Sequence, residues 1–303
     1  MTTITQRLAM LRTKMREANI AAYIVPTTDE YLGEYVPEQN KRLAYLSGFT
    51  GSAGTLVVTQ EQAALFADGR YTLQALNQCP EPLFEHHHLI SEPVLAWLKE
   101  TLLPGQSVAL DGRVVTYRFF KTVEAELRDL GITLQALTHN LIDDIWTDRP
   151  AALMSPAILL SEAYSGESST SKRSRVAESL KAAGADAAVI SQLDSIAWLL
   201  NIRGNDVPHL PVLLSQSILL SDGTQHLFID PAKIPDGFTE HVGKSVFVHD
   251  AADFSGFLER YGAQQPSILL DPDSTNALTA LTCLSSDCRL IEQKDPVELP
   301  KAQ

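Results

Sequence analysis

An internal repeat constrains the fold of this 303-residue chain more than any other feature of its sequence. The stretches "REANIAAYIVPTTD", which ends at Asp29, and "KAAGADAAVISQLD", which ends at Asp194, both place a helix end, a small turn and a short apolar run before the aspartate. Further along, "AYLSGFTGSAGTLVV" corresponds to "AWLLNIRGNDVPHLPVLLS", where a short helix ends in a loop that leads into strands. A pattern that recurs in the same order predicts two units of similar plan.

The alternation of apolar runs with amphipathic helices predicts the fold class. Leu8, Leu11 and Met15 follow helical spacing, and the apolar run "AAYIV" then ends at Pro26. The runs "TLVVT" and "AALFAD", separated by the turn "QEQ", predict a hairpin, so the sheets should be mixed rather than fully parallel. We therefore predict an α/β protein with two similar domains, each a mixed sheet flanked by helices.

Length and local composition predict where the domains divide. A single hydrophobic core usually stops growing near this chain length, so two domains of about 150 residues each are expected. After Trp146 the sequence becomes rich in proline and serine and loses its periodicity. We predict a first domain over residues 1–147, a linker over 148–170, a second domain over 171–293, and a connecting segment over 294–303 that belongs to neither core.

The composition argues against several classes of partner. With 37 acidic and 24 basic residues the formal net charge is −13, which would repel nucleic acid and anionic lipid surfaces. No segment approaches the roughly 18 consecutive apolar residues of a membrane span. The N-terminal stretch carries arginine and lysine within its apolar pattern, unlike a secretory signal, so we predict a cytoplasmic protein without a membrane or nucleic-acid partner.

The familiar catalytic and ligand-binding motifs are absent from the sequence. It contains no G-x-S-x-G elbow, no P-loop and no H-E-x-x-H motif, and its three cysteines show no C-x-x-C spacing. The glycine-rich loop "GFTGSAG" opens a strand, whereas a dinucleotide site needs a helix directly behind the glycines. We therefore interpret this loop as structural.

Three short segments carry polar side chains that could bind a ligand. In "EHHHL", His86 and His88 share one face of a predicted strand, but two nitrogens do not make a metal site, so we predict an ordinary polar strand. In "FADGRYTLQA", Asp68 is expected to cap a helix; the functional alternative is that Arg70 holds a carboxylate through its two-pronged guanidinium. In "NIRGNDVPHLPV", His209 is expected to be a hydrogen-bonded structural group.

Two longer motifs resemble a known family. The stretch "YVPEQNKRLAYLSGFTGSAGTLVVTQEQAALFADGRYTLQA" is similar to the N-terminal domain of Xaa-Pro aminopeptidases, members of the creatinase/prolidase superfamily. The later stretch "DSIAWLLNIRGNDVPHLPV" is similar to the middle domain of the three-domain members. The resemblance implies two creatinase-like α/β domains followed by a C-terminal pita-bread domain. In the family, that domain holds two metal ions, commonly manganese, and the enzyme releases an N-terminal residue that precedes proline.

The resemblance also sets expectations for this chain. None of the metal-ligand motifs of the family occurs in it, so we expect no catalytic residue, no metal ligand and no activity from the chain alone. The tail "KDPVELPKA" is similar to the segment that leads into the catalytic domain in the family. The implied partners are that catalytic domain, a second copy in a homo-oligomer, and a peptide with proline in second place.

By motif position, six polar residues are expected to face the catalytic domain or a neighbouring subunit, where they would shape substrate access or an interface: Asp29, Tyr35, Arg42, Arg70, Arg203 and His209. Two rival hypotheses remain open. Two similar lobes could form a free-standing binder of small molecules, or the histidine strand and His209 could belong to an unrelated enzyme site.

Overall fold

The computed structural model describes residues 2–302 and divides the chain into two compact units. The first unit comprises the chain up to Glu30 together with Glu38–Ala151. The second comprises Ala152 onward together with the short segment Tyr31–Pro37. No sequence pattern signalled that this short segment would leave the first unit. The domain limits stated above stay a prediction.

The first unit is built on a mixed six-stranded sheet in the order β4-β3-β2-β1-β5-β6. Strands β1, β2 and β3 pair antiparallel, and the predicted hairpin is confirmed as β2–β3. The pairs β3–β4, β1–β5 and β5–β6 are parallel. The strands are β1 Ala22–Pro26, β2 Gly54–Thr59, β3 Ala63–Ala67, β4 Glu85–His88, β5 Ser107–Asp111 and β6 Thr133–Leu137.

Five helices flank this sheet. The first begins after Thr3, whose side chain accepts the backbone N–H of Gln6 while the Gln6 side chain accepts that of Thr3, a reciprocal capping box. Its face of Leu8, Leu11 and Met15 is buried in the core, as the helical spacing predicted. The helices are α1 Ile4–Glu17, α2 Arg42–Ser47, α3 Thr72–Gln78, α4 Val94–Thr101 and α5 Tyr117–Arg128.

The second unit repeats the plan of the first. Its main sheet has the order β12-β11-β10-β8-β13-β14, and each pair has the same direction as its counterpart in the first sheet. A separate antiparallel pair, β7–β9, joins Ile158 to Arg203. The strands are β7 Ile158–Leu159, β8 Ala187–Ile190, β9 Ile202–Arg203, β10 Gln216–Leu220, β11 Gln225–Phe228, β12 Val246–His249, β13 Ser267–Leu270 and β14 Arg289–Glu292.

The helices of the second unit follow the same order between strands. Helix α7 begins after Ser168, whose hydroxyl accepts the N–H of Ser171, and it is followed by Gly184 in the left-handed conformation, both of which are common features of helix ends. The helices are α6 Glu162–Ser165, α7 Ser169–Ala182, α8 Leu193–Leu200, α9 Phe238–Val242, α10 Phe254–Gly262, α11 Ala277–Ser285 and α12 Glu298–Lys301. The predicted fold class, two α/β units with mixed sheets flanked by helices, is confirmed.

The tail after β14 corrects one prediction. Val297 is fully buried and belongs to the core of the second unit, and Asp295 is also buried. The expectation that this tail belongs to neither core is therefore wrong for Val297, while the limits of the segment over residues 294–303 stay a prediction. The neighbouring residues Lys294 and Glu298 are charged, so the composition of the tail predicts a solvent-exposed segment. The composition therefore did not reveal that Val297 packs in the core.

The glycine-rich loop is held by close packing in the first unit. A Cβ atom added at Gly51 would lie 2.4 Å from the Phe49 ring, and one added at Gly54 would lie 2.7 Å from it. Only glycine fits at these two approaches, which agrees with a structural role for the loop. Across the described residues, every helix is too short or too polar to cross a lipid bilayer.

Candidate functional site

Asp29 lies in the first unit and is buried among polar groups. Its carboxylate accepts a hydrogen bond from Nδ2 of Asn40 at 2.9 Å. The Oδ1 atom of Asn40 in turn accepts from Nη2 of Arg149 at 3.0 Å. The side chain is thus tied into the interior of its own unit, and its role toward any partner stays a prediction.

Arg42, at the start of α2, is only 3% exposed. Its Nε and Nη2 atoms donate to the Asp143 carboxylate at 2.7 and 2.9 Å, and Nη2 and Nη1 donate to Glu30 at 2.6 and 3.2 Å. Burial alone would raise the pKa of Glu30 and of Asp143, but the charge and hydrogen bonds of Arg42 outweigh it and lower both pKa values.

Two further arginines extend this ionic cluster. Arg113 binds Asp111 at the end of β5 with a 2.8 Å contact, and Arg149 lies 3.1 Å from Asp143. The cluster therefore joins the end of a core strand to α2 and to the chain after β6. Its carboxylates are already occupied by guanidinium groups, so it is suited to holding the unit together rather than to binding a ligand.

Arg70 lies on the surface of the first unit. Its Nε donates to Asp68 at 2.8 Å, and its guanidinium stacks over the Tyr71 ring at 5.5 Å. Asp68 also accepts the backbone N–H of Arg70 at 3.0 Å, so the predicted cap is confirmed. With its side chain 66% exposed, Arg70 is accessible; whether it holds a carboxylate stays a prediction.

The three remaining candidates lie in the second unit, and two of them touch. The rings of Tyr35 and His209 meet edge to face with centroids 5.9 Å apart. His209 has a φ of 65°, an uncommon backbone conformation for a residue other than glycine. The ring contact with Tyr35 accompanies this conformation, and the sequence gave no hint that these two residues, far apart in the chain, would meet.

Arg203 borders a cavity of about 780 Å³ in the second unit. Helix α8 ends at Asn201 in the left-handed conformation, and the chain turns directly into β9, which carries Arg203. One wall is apolar and includes Leu193, Trp198 and Val212. The other lining residues include polar side chains from distant parts of the chain: Gln192, Asp194, Asp273, Ser274 and Lys301.

Lys301 closes one side of this cavity. Its Nζ atom donates to Asp194 at 2.7 Å, to Ser195 at 3.1 Å and to Gln192 at 3.2 Å. The N-terminal end of α8 and the final helix are thereby joined. The repeat drew attention to Asp194, but neither Lys301 nor Gln192 carried any signal in the sequence.

The loop after Arg203 is packed tightly against the same unit. A Cβ atom at Gly204 would lie 2.3 Å from the Leu213 side chain, so only glycine fits there. Asp206 is buried and accepts the backbone N–H of Leu214 at 2.8 Å and Nζ of Lys233 at 2.6 Å. The loop that these contacts hold leads into Leu210, Pro211 and Val212, which line the cavity.

The histidine strand β4 uses its side chains for local contacts. His86 Nε2 lies 2.8 Å from the Cys79 carbonyl oxygen, and His87 Nδ1 lies 2.8 Å from the Glu92 carboxylate. His88 Nδ1 accepts the N–H of Ile90 at 3.3 Å. Within residues 2–302, His, Cys, Asp and Glu side chains form no group of three or more that could hold a metal ion.

The sequence reading missed a second pair of histidines. His226 on β11 and His249 on β12 are diagonal neighbours on one face of the sheet, with Nδ1 of His226 and Nε2 of His249 2.9 Å apart. Burial, together with the neighbouring His249, lowers the pKa of His226 to about 4. Since the two residues are 23 positions apart, only the strand register brings them together.

The comparison with protein families assigns both units. The Creatinase/Prolidase N-terminal domain family matches twice, over residues 7–144 and over residues 148–303. The second match alone covers more than half of the chain. The two matches follow the internal repeat from which the two sheets were predicted.

Proteins that are similar in sequence to this chain include Xaa-Pro aminopeptidases. ApepP of Drosophila melanogaster is 35% identical over 304 residues, which cover 98% of this chain and 49% of that protein. Xaa-Pro aminopeptidase 1 of Dictyostelium discoideum is 30% identical over 309 residues, covering 99% of this chain and 49% of that protein. This chain therefore spans about half the length of these relatives.

A solved structure shows the same arrangement of elements. The X-prolyl aminopeptidase of Caenorhabditis elegans, described as a cytosolic enzyme with a di-nuclear active site, matches with a TM-score of 0.91 and 29% sequence identity. The match covers 100% of this chain and 52% of that one. Together with the two family matches, this similarity shows that the chain belongs to the creatinase/prolidase N-terminal domain family.

Proposed function

We propose that this chain is the non-catalytic N-terminal region of a metal-dependent Xaa-Pro aminopeptidase. The observation that carries the proposal is the match with ApepP, which runs over 98% of this chain but only 49% of the relative. The remaining half of such a relative has room for a further domain. The activity would be the release of an N-terminal residue that precedes proline, in the cytoplasm.

The metal-ligating side chains of this chain support the proposal that the metal site lies in a different domain. A di-nuclear site needs several convergent carboxylate or imidazole ligands, and residues 2–302 offer no group of three such side chains. The residues present therefore do not fit a pair of divalent ions. We place both ions, with manganese as the expected metal, in a catalytic domain outside this chain.

The two units would contribute shape rather than chemistry. In the proposed enzyme they limit access to the active site and take part in association between subunits, which favours short peptides. The exposed candidates Tyr35, Arg70 and His209 are available for such contacts, whereas Arg42 is bound to buried carboxylates and would act by holding the first unit rigid.

An activity assay tests the proposal. The 303-residue chain is incubated with a short peptide whose second residue is proline, in the presence of Mn²⁺, and ApepP serves as the positive control. We expect release of the first residue by ApepP and none by this chain. Manganese-dependent release by the chain alone, abolished by a chelator, would contradict the proposal.

The cavity of the second unit favours one alternative function, that of a free-standing small-molecule binder. Such a protein would be stabilised by its ligand in proportion to ligand concentration. Ligand binding would not by itself exclude the peptidase assignment, so the activity assay and the coding sequence decide between the two.

A further inference from the structure

The cavity of the second unit has the dimensions of a small-molecule site. Its volume of about 780 Å³ falls within the range of roughly 300–1,000 Å³ typical of such sites. All of its lining residues belong to the second unit. Its wall combines apolar side chains with a few polar groups, a combination that orients a ligand while burying its apolar body.

Arg203 presents unused hydrogen-bond donors at this cavity. Its Nη1 atom donates to the carbonyl oxygens of Ile202 at 2.8 Å and Ala197 at 3.3 Å, which holds the guanidinium in place. Its Nε and Nη2 atoms donate to no group of the described chain. These two atoms lie on one edge of the guanidinium, and that edge matches the two oxygens of a carboxylate.

The other charged groups that line the cavity already have partners. Lys301 binds Asp194 at 2.7 Å, and Asp273 binds Lys294 at 2.9 Å. Among the lining residues that the structure describes, the charge of Arg203 is therefore the one that no acidic side chain balances. A half-buried cation in this situation favours an anionic ligand.

The apolar wall restricts the chemical class of the ligand. Leu193, Trp198 and Leu210 line the cavity beside Arg203, so a bare inorganic anion would leave most of the space without favourable contacts. The Trp198 ring also lies beneath the ammonium of Lys172, at 4.3 Å, which adds positive potential on that side. An organic carboxylate with an apolar body satisfies both parts of the wall.

We propose that this cavity binds an apolar amino acid or the end of a short peptide through its free carboxylate, with Arg203 as the anchor. The site is separate from the proposed peptidase function and does not depend on it. No bond is made or broken: the ligand binds reversibly, and its carboxylate accepts from Nε and Nη2 of Arg203.

Calorimetric titration of the 303-residue chain tests this site. The probes are N-acetyl-L-leucine, which has the carboxylate and the apolar body, and N-acetyl-L-leucinamide, which has the same body without the charge. We expect the acid to bind and the amide to bind at least about tenfold more weakly, because hydrogen bonds to charged groups are lost. Acetate, which lacks the apolar body, should also bind more weakly than the acid.

Matched variants identify the anchor. Arg203→Gln should weaken binding of N-acetyl-L-leucine at least about tenfold, and Arg203→Lys, which keeps the charge without the fork, should weaken it less. Arg128→Gln removes a surface arginine of the first unit that is paired with Glu124, and it should leave the affinity unchanged. If Arg203→Gln does not fold, the Lys variant and the acid-to-amide comparison still decide.

Three results would overturn the proposal. They are equal binding of acid and amide, unchanged affinity in both Arg203 variants, and absence of binding at millimolar acid. Inactivity of the chain as a peptidase has no bearing on these outcomes, and binding has none on the peptidase proposal.

Discussion

Asn140 and Asp295 occupy equivalent positions in the two units. The Oδ1 atom of Asn140 accepts the N–H of Ile142 at 3.1 Å, and Oδ1 of Asp295 accepts the N–H of Val297 at 2.8 Å. Each residue also donates a hydrogen bond to an aspartate at the end of a parallel strand. Nδ2 of Asn140 donates to Asp111, the last residue of β5, at 3.2 Å. The backbone N–H of Asp295 donates to Asp271, which directly follows β13, at 3.3 Å. The repeat therefore extends into the tail.

The difference between the two residues predicts that Asp295→Asn stabilises the second unit. Burial raises the pKa of Asp295, a shift that the Val297 N–H and the nearby Ser195 hydroxyl oppose, and its Oδ2 atom is buried without a hydrogen-bond partner in the described chain. An amide keeps the acceptor for Val297 and removes the buried charge. We expect a gain in unfolding free energy at neutral pH, measured by urea denaturation.

The pH dependence of this gain has a defined sign. Because the folded-state pKa of Asp295 is raised above its ordinary value of 3.8, the wild type is penalised above the folded pKa, where the buried group is ionised. The difference between the variant and the wild type should shrink as pH falls through the folded pKa toward 3.8. Asp236→Asn, at an exposed position, is the control, and a gain of similar size there would refute the explanation.

Val297→Ala tests whether the tail belongs to the second core. Val297 is fully buried, so removing two methyl groups should lower the unfolding free energy by about 2 kcal/mol. Leu299, two residues later, is 71% exposed, and Leu299→Ala should have almost no effect. Equal, small effects of both substitutions in chemical denaturation would show that the tail is not part of the core.

Arg42→Met should strongly destabilise the first unit. The substitution leaves Glu30 and Asp143 without the guanidinium that neutralises them, and breaking one side of a buried ion pair typically costs about 3–5 kcal/mol. Because Asp143 keeps contact with Arg149, we expect a value near the lower end. Arg128→Ala, which removes a surface arginine paired with Glu124, should change the unfolding free energy by less than about 0.5 kcal/mol.

The same variant should respond differently to acid. The folded-state pKa values of Glu30 and Asp143 are lowered, so their contribution to stability is present above the ordinary carboxyl pKa and is lost as pH falls through the folded values. Without Arg42 most of this acid-sensitive contribution is lost, and the part that Arg149 and Arg113 supply remains. Denaturation midpoints measured from neutral to acidic pH should therefore fall less steeply in Arg42→Met than in the wild type, and parallel curves would contradict the assignment.

The fold of the two units could be predicted because strands and helices follow from local sequence patterns. The run ending at Pro26 and its counterpart ending at Ile190 are both buried central strands, and the cap at Asp68 lies where side-chain chemistry predicted it. The recurrence of the pattern then implied the recurrence of the sheet, and the two strand orders agree pair by pair.

The candidate site was less predictable because its contacts are long-range. Arg42 was expected at a surface, but its partner Asp143 lies 101 residues away, and no local pattern reports that distance. Arg203 could be named from its motif, whereas the cavity beside it is completed by Lys301, which appeared to belong to a solvated tail. The tail itself was misjudged because one valine among polar letters has no periodicity to reveal it.

The coding sequence beyond codon 303 tests the central claim most directly, because the claim concerns what this chain is joined to. We predict an open reading frame that continues into a catalytic domain that carries the metal-ligand motifs of the family. A stop codon directly after Gln303, in transcripts from the native gene, would contradict the assignment to a Xaa-Pro aminopeptidase and would leave a free-standing two-domain protein.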